Sequence, residues 1–64
     1  MDSRSIASVG YDRATATLEV EFRSGRVYRY FAVPATVHRR LVEADSIGAT
    51  FNREVRDAYP VTEA

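Results

Sequence analysis

The chain is short and electrically balanced: its 64 residues include nine Arg, nine acidic residues, no Lys and no Cys. A chain of this length builds one core, and a domain of about 60 residues buries about 60% of its unfolded surface. The lack of Cys excludes disulfides and thiolate metal sites, and no stretch reaches the roughly 20 apolar residues of a membrane span. Without a long apolar run at its start, the chain is expected to form one cytoplasmic domain over 1–64.

The charges are distributed unevenly along the chain. Residues 23–40 carry five Arg and no acid, whereas acids outnumber Arg on either side of that segment. Guanidinium groups offer a planar fork of donors that suits phosphates and carboxylates. Two interpretations of Arg without Lys stay open: phosphate or RNA recognition, and a bias toward GC-rich codons. The zero net charge argues against an indiscriminate polyanion binder.

The first half of the sequence predicts strands. A segment over 5–11 places three apolar side chains on one face: Ala7, Val9 and Tyr11. After a turn at 12–14, residues 15–22 alternate with the period of a half-buried strand. The apolar side of that alternation carries Leu18, Val20 and Phe22. A third strand is expected over 26–33.

The loop between the second and third strands decides where two tyrosines point. A two-residue loop would place Arg29 opposite Val20 on the core face, whereas a three-residue loop with Gly25 in the left-handed position places Arg29 opposite Glu19. The three-residue loop is preferred because it leaves no unpaired charge in the core and makes a cross-strand ion pair. Tyr28 and Tyr30 then share the core side of the sheet.

The second half predicts two short helices. Pro34 ends the third strand and suits a first helical position, and a first apolar stripe follows, made of Val37, Leu41 and Ala44. Ser46 is expected to cap a second helix, whose stripe is Ile47, Phe51, Val55 and Ala58. Tyr59 and Pro60 close it. The predicted fold is α+β: a three-stranded antiparallel β-meander followed by two short helices packed on one face of the sheet.

The spacing of these residues resembles the KTSC domain family, found at the C-terminus of some lysyl-tRNA synthetases and as small bacterial or phage proteins. The matching string combines a central Tyr28-Arg29-Tyr30 with residues on both sides, and it covers roughly 3–60. The family-motif residues with expected structural roles are Gly25, Pro34, Ser46, Gly48, Phe51 and Asn52. The resemblance implies no established activity, and the synthetase context implies RNA.

The residues proposed for nucleic-acid binding come from the Arg-rich middle of the chain: Arg26, Tyr28, Arg29, Tyr30, Arg39 and Arg40. Aromatic rings on a sheet stack bases, and Arg contacts phosphates. In the preferred register both tyrosines lie on the helix-covered face, so a core role for their rings competes with stacking. For Arg39 and Arg40 the competing interpretation is a solvated helix face.

No catalytic constellation is evident, and the chain is interpreted as a non-enzyme without cofactor or metal. The single His, His38, has no sequence-evident carboxylate or Ser partner, and Asn52 is expected to tie a loop or helix end. Two functions follow. The first is binding of tRNA-like or single-stranded RNA through the central segment. The alternative is a protein-interaction or accessory domain that docks on a partner or on itself through sheet edges or the uncovered face.

Overall fold

A computed structural model describes residues 6–64. In chain order the elements are β1 (Ile6–Asp12), β2 (Thr17–Phe22), β3 (Val27–Tyr30), α1 (Ala35–Glu43), α2 (Ile47–Glu54) and β4 (Val61–Glu63). The strands form one antiparallel sheet in the order β1-β2-β3-β4. The α+β class and the meander are confirmed, and the predicted count of three strands is corrected to four.

The fourth strand occupies the edge of β3 that the sequence interpretation left open. Val61 pairs with Tyr30 and Glu63 with Tyr28, while the Phe31 and Ala64 amides donate to Pro60 and Val27 carbonyls at 2.9 and 2.8 Å. β4 has three residues, all exposed. A strand this short shows no alternation, so the pattern contained nothing to predict it. Within residues 6–64, the edge strands of the sheet are therefore β1 and β4.

β1 contains a β-bulge that shifts its inward face. Ile6 pairs with Phe22, but Ser8 pairs with Glu21, so one extra residue stands between them. Ile6 is consequently buried, and Ala7, predicted to face the core, is exposed. From Val9 to Tyr11 the predicted alternation holds, and both pack against the core. Position 5, where the predicted strand begins, lies outside the described residues.

The three-residue hairpin is confirmed. Gly25 has φ of 94°, in the left-handed region, where glycine carries no steric penalty. The Phe22 amide donates to the Arg26 carbonyl and the Gly25 amide to the Phe22 carbonyl, both at 2.9 Å. The pairs Leu18–Tyr30, Glu19–Arg29 and Val20–Tyr28 follow. Tyr28 and Tyr30 therefore point to the helices, as predicted.

β3 ends at Tyr30, three residues before the predicted end at Val33. Ala32 has φ of 58°, a left-handed conformation that breaks the strand. The turn aims Val33 into the core, where it is fully buried, and its amide donates to the Ala16 carbonyl at 2.9 Å. Ala16 is also left-handed, with φ of 54°. Alanine rarely adopts this conformation and so gives no signal of it in the sequence, which explains why the end of β3 was predicted at Val33.

Both helices begin where predicted to within one residue. Pro34 is the N-cap of α1 and not its first residue, with φ of −63° and ψ of 148°. Ser46 caps α2, its Oγ accepting from the Ala49 amide at 3.2 Å, which confirms its predicted role. α2 ends at Glu54, one residue before Val55. Ala58, predicted to lie on the buried stripe, is beyond the helix and exposed.

The helices cover one side of the sheet, called here the inner face. Phe51 of α2 is fully buried and meets the rings of Phe22 and Tyr30 edge-on at 6.0 and 5.4 Å. α1 packs against β1. The opposite side, called here the outer face, is covered by neither α1 nor α2 and presents Gly10, Glu19 and Arg29. Within residues 6–64, neither helix has the length and apolar character needed to cross a membrane.

Candidate functional site

The six residues predicted to bind nucleic acid do not share one surface. Arg29 lies on the outer face and the two tyrosines on the inner face. Arg26 lies at the hairpin between β2 and β3. Arg39 and Arg40 lie on α1, which packs against β1, the edge strand farthest from β3 on that side of the sheet. Alternation along β3 and the position of α1 separate them. The six residues therefore do not form a single binding surface.

The two tyrosines differ in how much of each ring is accessible. Tyr30 is 6% exposed and packs edge-on against Phe51, so its ring is not available for stacking a base. Burial raises the pKa of Tyr30, and the charges of Tyr28 and Asp57 act in the same direction, while that of Arg56 lowers it. Tyr28 is half-buried and meets Phe22 edge-on at 5.6 Å. Tyr28 thus retains an accessible side.

Two of the four predicted arginines are engaged by carboxylates. Arg29 Nε lies 3.0 Å from Glu19 Oε2, as predicted, with both side chains about half exposed. Arg40 Nη1 lies 2.6 Å from Glu54 Oε1, linking α1 to α2. Arg53 also approaches Glu54, at 3.5 Å. Arg39 is exposed on α1, and no acid within residues 6–64 forms an ion pair with it.

A cationic surface lies at the hairpin tip, defined as residues 23–26. Arg23 and Arg26 are exposed at either end of the tight loop, and neither has an acid within ion-pair distance in the described part of the chain. Hydrogen bonding to Tyr28 raises the pKa of Arg26, and the charges of Tyr28 and Glu63 add to the effect. The tip therefore presents two guanidinium groups beside a half-buried aromatic ring.

Four of the family-motif residues occupy positions that define turns, helix ends or the core. Gly25 forms the hairpin turn, Pro34 and Ser46 cap the helices, and Phe51 fills the core. Gly48 is buried within α2. Asn52 is half-buried on the same helix, and its role as a loop tie stays a prediction.

His38 has a packing partner that the sequence did not reveal. Its ring stacks on Tyr11, with centroids 5.1 Å apart and planes 12° from parallel. The Tyr11 hydroxyl donates to the Val33 carbonyl at 2.5 Å. Among residues 6–64, no group of three or more His, Asp or Glu side chains is placed to hold a metal ion.

The outer face contains a depression that the sequence analysis missed, called here the outer concavity. Its volume is about 590 Å³, and it is lined by Gly10, Tyr11, Asp12, Thr15, Thr17, Glu19, Arg29 and Phe31. Phe31 is 39% exposed. Alternation along β3 places Phe31 on the face of Arg29, because the two are two residues apart. The two-residue spacing of Arg29 and Phe31 is the sequence signal that places them on one face.

The chain is similar in sequence to several known proteins. The sequence model of the KTSC domain matches residues 2–59. An uncharacterized protein of Stutzerimonas stutzeri is 53% identical over 53 residues, covering 83% of this chain and 75% of that protein. A lysine–tRNA ligase of Nostoc punctiforme is 41% identical over 54 residues, covering 84% of this chain. The chain spans 10% of the length of that ligase.

The architecture has a solved counterpart. The crystal structure of a KTSC domain protein from Yersinia pestis superimposes with a TM-score of 0.91 and 31% sequence identity. The match covers 100% of this chain and 89% of that one. The four-stranded sheet with two helices on its inner face is therefore the fold of that protein as well.

Proposed function

Because this chain belongs to the KTSC domain family, we propose that it is a small, non-enzymatic, cytoplasmic module that binds RNA. The observation that carries the proposal is the hairpin tip. Arg23 and Arg26 stand a few residues apart, exposed and without an ion-pair partner among residues 6–64. Guanidinium groups in this state bind phosphates without first giving up a carboxylate.

Tyr28 adds a contact of a second kind to the hairpin tip. Its half-buried ring stands beside the guanidinium of Arg26. Single-stranded nucleic acids are held by cationic side chains on the backbone and by aromatic side chains against bases. Tyr28 and Arg26 supply one group of each kind, so an unpaired RNA segment suits the tip better than a rigid duplex.

The remaining predicted residues contribute less. Using Arg29 or Arg40 for phosphate requires breaking the ion pairs with Glu19 and Glu54, and Tyr30 is buried. Arg39 is exposed, but it lies on α1. The family context supports the same choice of ligand, since similar segments occur within lysine–tRNA ligases.

The test compares RNA binding by two charge-matched double variants. Arg23→Gln/Arg26→Gln removes the hairpin tip, whereas Arg13→Gln/Arg53→Gln removes two exposed arginines from the β1–β2 turn and from α2. Each variant is titrated against a fluorescent single-stranded RNA of mixed sequence and a tRNA-like stem-loop at low salt. We expect the tip variant alone to lose binding. Equal affinity of the two variants, or no binding by the unmodified chain, contradicts the proposal.

The alternative function is docking on a protein partner or on a second copy of this chain, through a sheet edge or the outer face. The edge of β3, which a three-stranded sheet would offer to a partner strand, is taken by β4. The outer face is mainly polar, with Glu19, Glu21 and Arg29 exposed. Sedimentation over a concentration series, with and without RNA, separates the two: self-association that RNA does not change favours docking.

A further inference from the structure

Gly10 occupies a position where neither backbone conformation nor crowding requires glycine. It lies in the interior of β1, opposite Glu19. A Cβ placed on it meets no atom within 4 Å, and its φ is outside the left-handed region that Gly25 occupies. Glycine in a strand interior weakens the strand. A glycine inside a strand often marks a bulge, a bend, or a point where a ligand or another backbone approaches closely, and the bulge of β1 lies between Ile6 and Ser8, before Gly10.

The space that Gly10 leaves open is the outer concavity. One boundary is the ring of Phe31, which is 39% exposed and not part of the core. Another is the ion pair of Glu19 and Arg29. The concavity therefore combines an accessible aromatic ring, a charged donor beside a charged acceptor, and a stretch of bare backbone.

We propose that the outer concavity receives a single unpaired nucleobase of an RNA strand. Phe31 stacks on the base, the Glu19–Arg29 pair bonds to its edge, and Gly10 keeps the space open. The inference deepens the proposed RNA-binding function and rests on it. The base belongs to a strand whose phosphates are held at the hairpin tip.

The ion pair presents hydrogen-bonding groups of the kind that a base edge needs. Arg29 contacts Glu19 through Nε, and among residues 6–64 no hydrogen bond engages its terminal nitrogens, which serve as donors. Glu19 contributes Oε2 to that pair, and within the same residues its Oε1 is available as an acceptor. Base edges carry donors and acceptors side by side, with Arg suited to guanine acceptors and Glu to the cytosine amino group. The pair therefore offers a donor to the acceptors of a base edge and an acceptor to its amino group.

The charge of the outer concavity selects a base over a free anion. Asp12 and Glu19 bring two negative charges against the one positive charge of Arg29. A phosphate in that position meets net repulsion, whereas a neutral base does not. Arg26 and Arg29 are three residues apart, about 10 Å along an extended strand. Because alternation places Arg26, beside Tyr28, on the opposite face of the sheet from Arg29, a strand bound at the hairpin tip reaches the outer concavity by passing around the hairpin.

The test uses free nucleotides, so that it does not depend on the hairpin tip. Amide chemical shifts of the full chain are followed during titration with each of the four nucleoside 5′-monophosphates and, separately, with ribose 5-phosphate. We expect shifts at Gly10, Glu19 and Phe31 with the nucleotides and not with the sugar phosphate. Equal shifts with ribose 5-phosphate, or nucleotide shifts confined to other residues, overturn the proposal.

Two variants locate the base within the outer concavity. Gly10→Leu fills it, and the open space around Gly10 predicts a folded protein. Thr62→Leu adds a similar side chain beside Arg29 on the same face, outside the lining. Phe31→Leu removes the ring without touching β1. We expect Gly10→Leu and Phe31→Leu to weaken nucleotide binding about tenfold, as for the loss of one stacked base, and Thr62→Leu to leave it unchanged.

The outcomes separate this inference from the proposed function. If Gly10→Leu and Phe31→Leu bind nucleotides like the unmodified chain, the proposed base site is wrong, regardless of how Arg23→Gln/Arg26→Gln affects RNA binding. If RNA binding survives Arg23→Gln/Arg26→Gln while nucleotides still shift Gly10, the hairpin tip is wrong and the base site stands. Spectra of each variant without ligand confirm that it is folded.

Discussion

The guanidinium of Arg29 and the carboxylate of Glu19 face each other across β3 and β2, with Nε 3.0 Å from Oε2. The pair is possible only with the three-residue hairpin, because a slip of one residue moves every side chain of a strand to the opposite face. The same pair forms one wall of the outer concavity. One cross-strand contact thus links the register of the sheet to the proposed base site.

A double-mutant cycle of Glu19→Gln and Arg29→Gln measures the strength of this pair. Both side chains are about half exposed, so we expect a coupling free energy of about 0.2–1 kcal/mol that falls as salt is added. Urea unfolding at two salt concentrations provides the measurement. The pair of Arg40 and Glu54 serves as the comparison, because Glu54 is only 20% exposed and the contact is shorter. A larger coupling for Glu19 and Arg29 than for that pair contradicts this ranking.

Tyr30 makes stability depend on pH under alkaline conditions. Burial raises its pKa in the folded chain, whereas the unfolded chain has the ordinary value near 10. The stabilisation is therefore fully present below about pH 10 and is lost as pH rises through the higher folded pKa. Urea unfolding from about pH 8 upward, compared with Tyr30→Phe, isolates this residue from the other tyrosines. A stability difference between the two proteins that is constant with pH contradicts the assignment.

Ala32 adopts a left-handed conformation that costs an alanine about 1–2 kcal/mol. Ala32→Gly relieves that strain but makes the unfolded chain more flexible, which opposes the gain by about 0.4–1 kcal/mol. We expect Ala32→Gly to stabilise the fold slightly and Ala32→Val to destabilise it, as thermal unfolding will report. The control is Ala49, exposed within α2, where glycine is expected to destabilise by about 1 kcal/mol. If glycine destabilises the fold more at position 32 than at position 49, Ala32 is not strained.

Most of the fold was predictable because its signals are local and repeated. The alternation in β2 fixed which side chains face the helices, Gly25 fixed the hairpin, and Ser46 fixed the start of α2. The errors lie where no residue type marks the conformation. The bulge in β1 displaces Ala7 without a glycine, and Ala32 ends β3 from a backbone angle that alanine seldom adopts.

The candidate site was predictable only in part, because it depends on which side chains meet. The sequence identified Arg26 and Tyr28, and it paired Arg29 with Glu19. It did not predict the contact of Arg40 with Glu54, since that pair joins two helices whose packing no local pattern defines. No local pattern marks Gly10 as part of a site, because the open space around it depends on how its neighbours pack.

The most direct measurement of the central claim is the salt dependence of RNA binding by the unmodified chain and by Arg23→Gln/Arg26→Gln. Single-stranded RNA gives a slope of log affinity against log salt of about −0.7 for each neutralised phosphate. If Arg23 and Arg26 each neutralise one, the unmodified chain has a slope steeper by about 1.4 than the variant, and Arg13→Gln/Arg53→Gln matches the unmodified chain. Equal slopes for the unmodified chain and the tip variant would contradict the account.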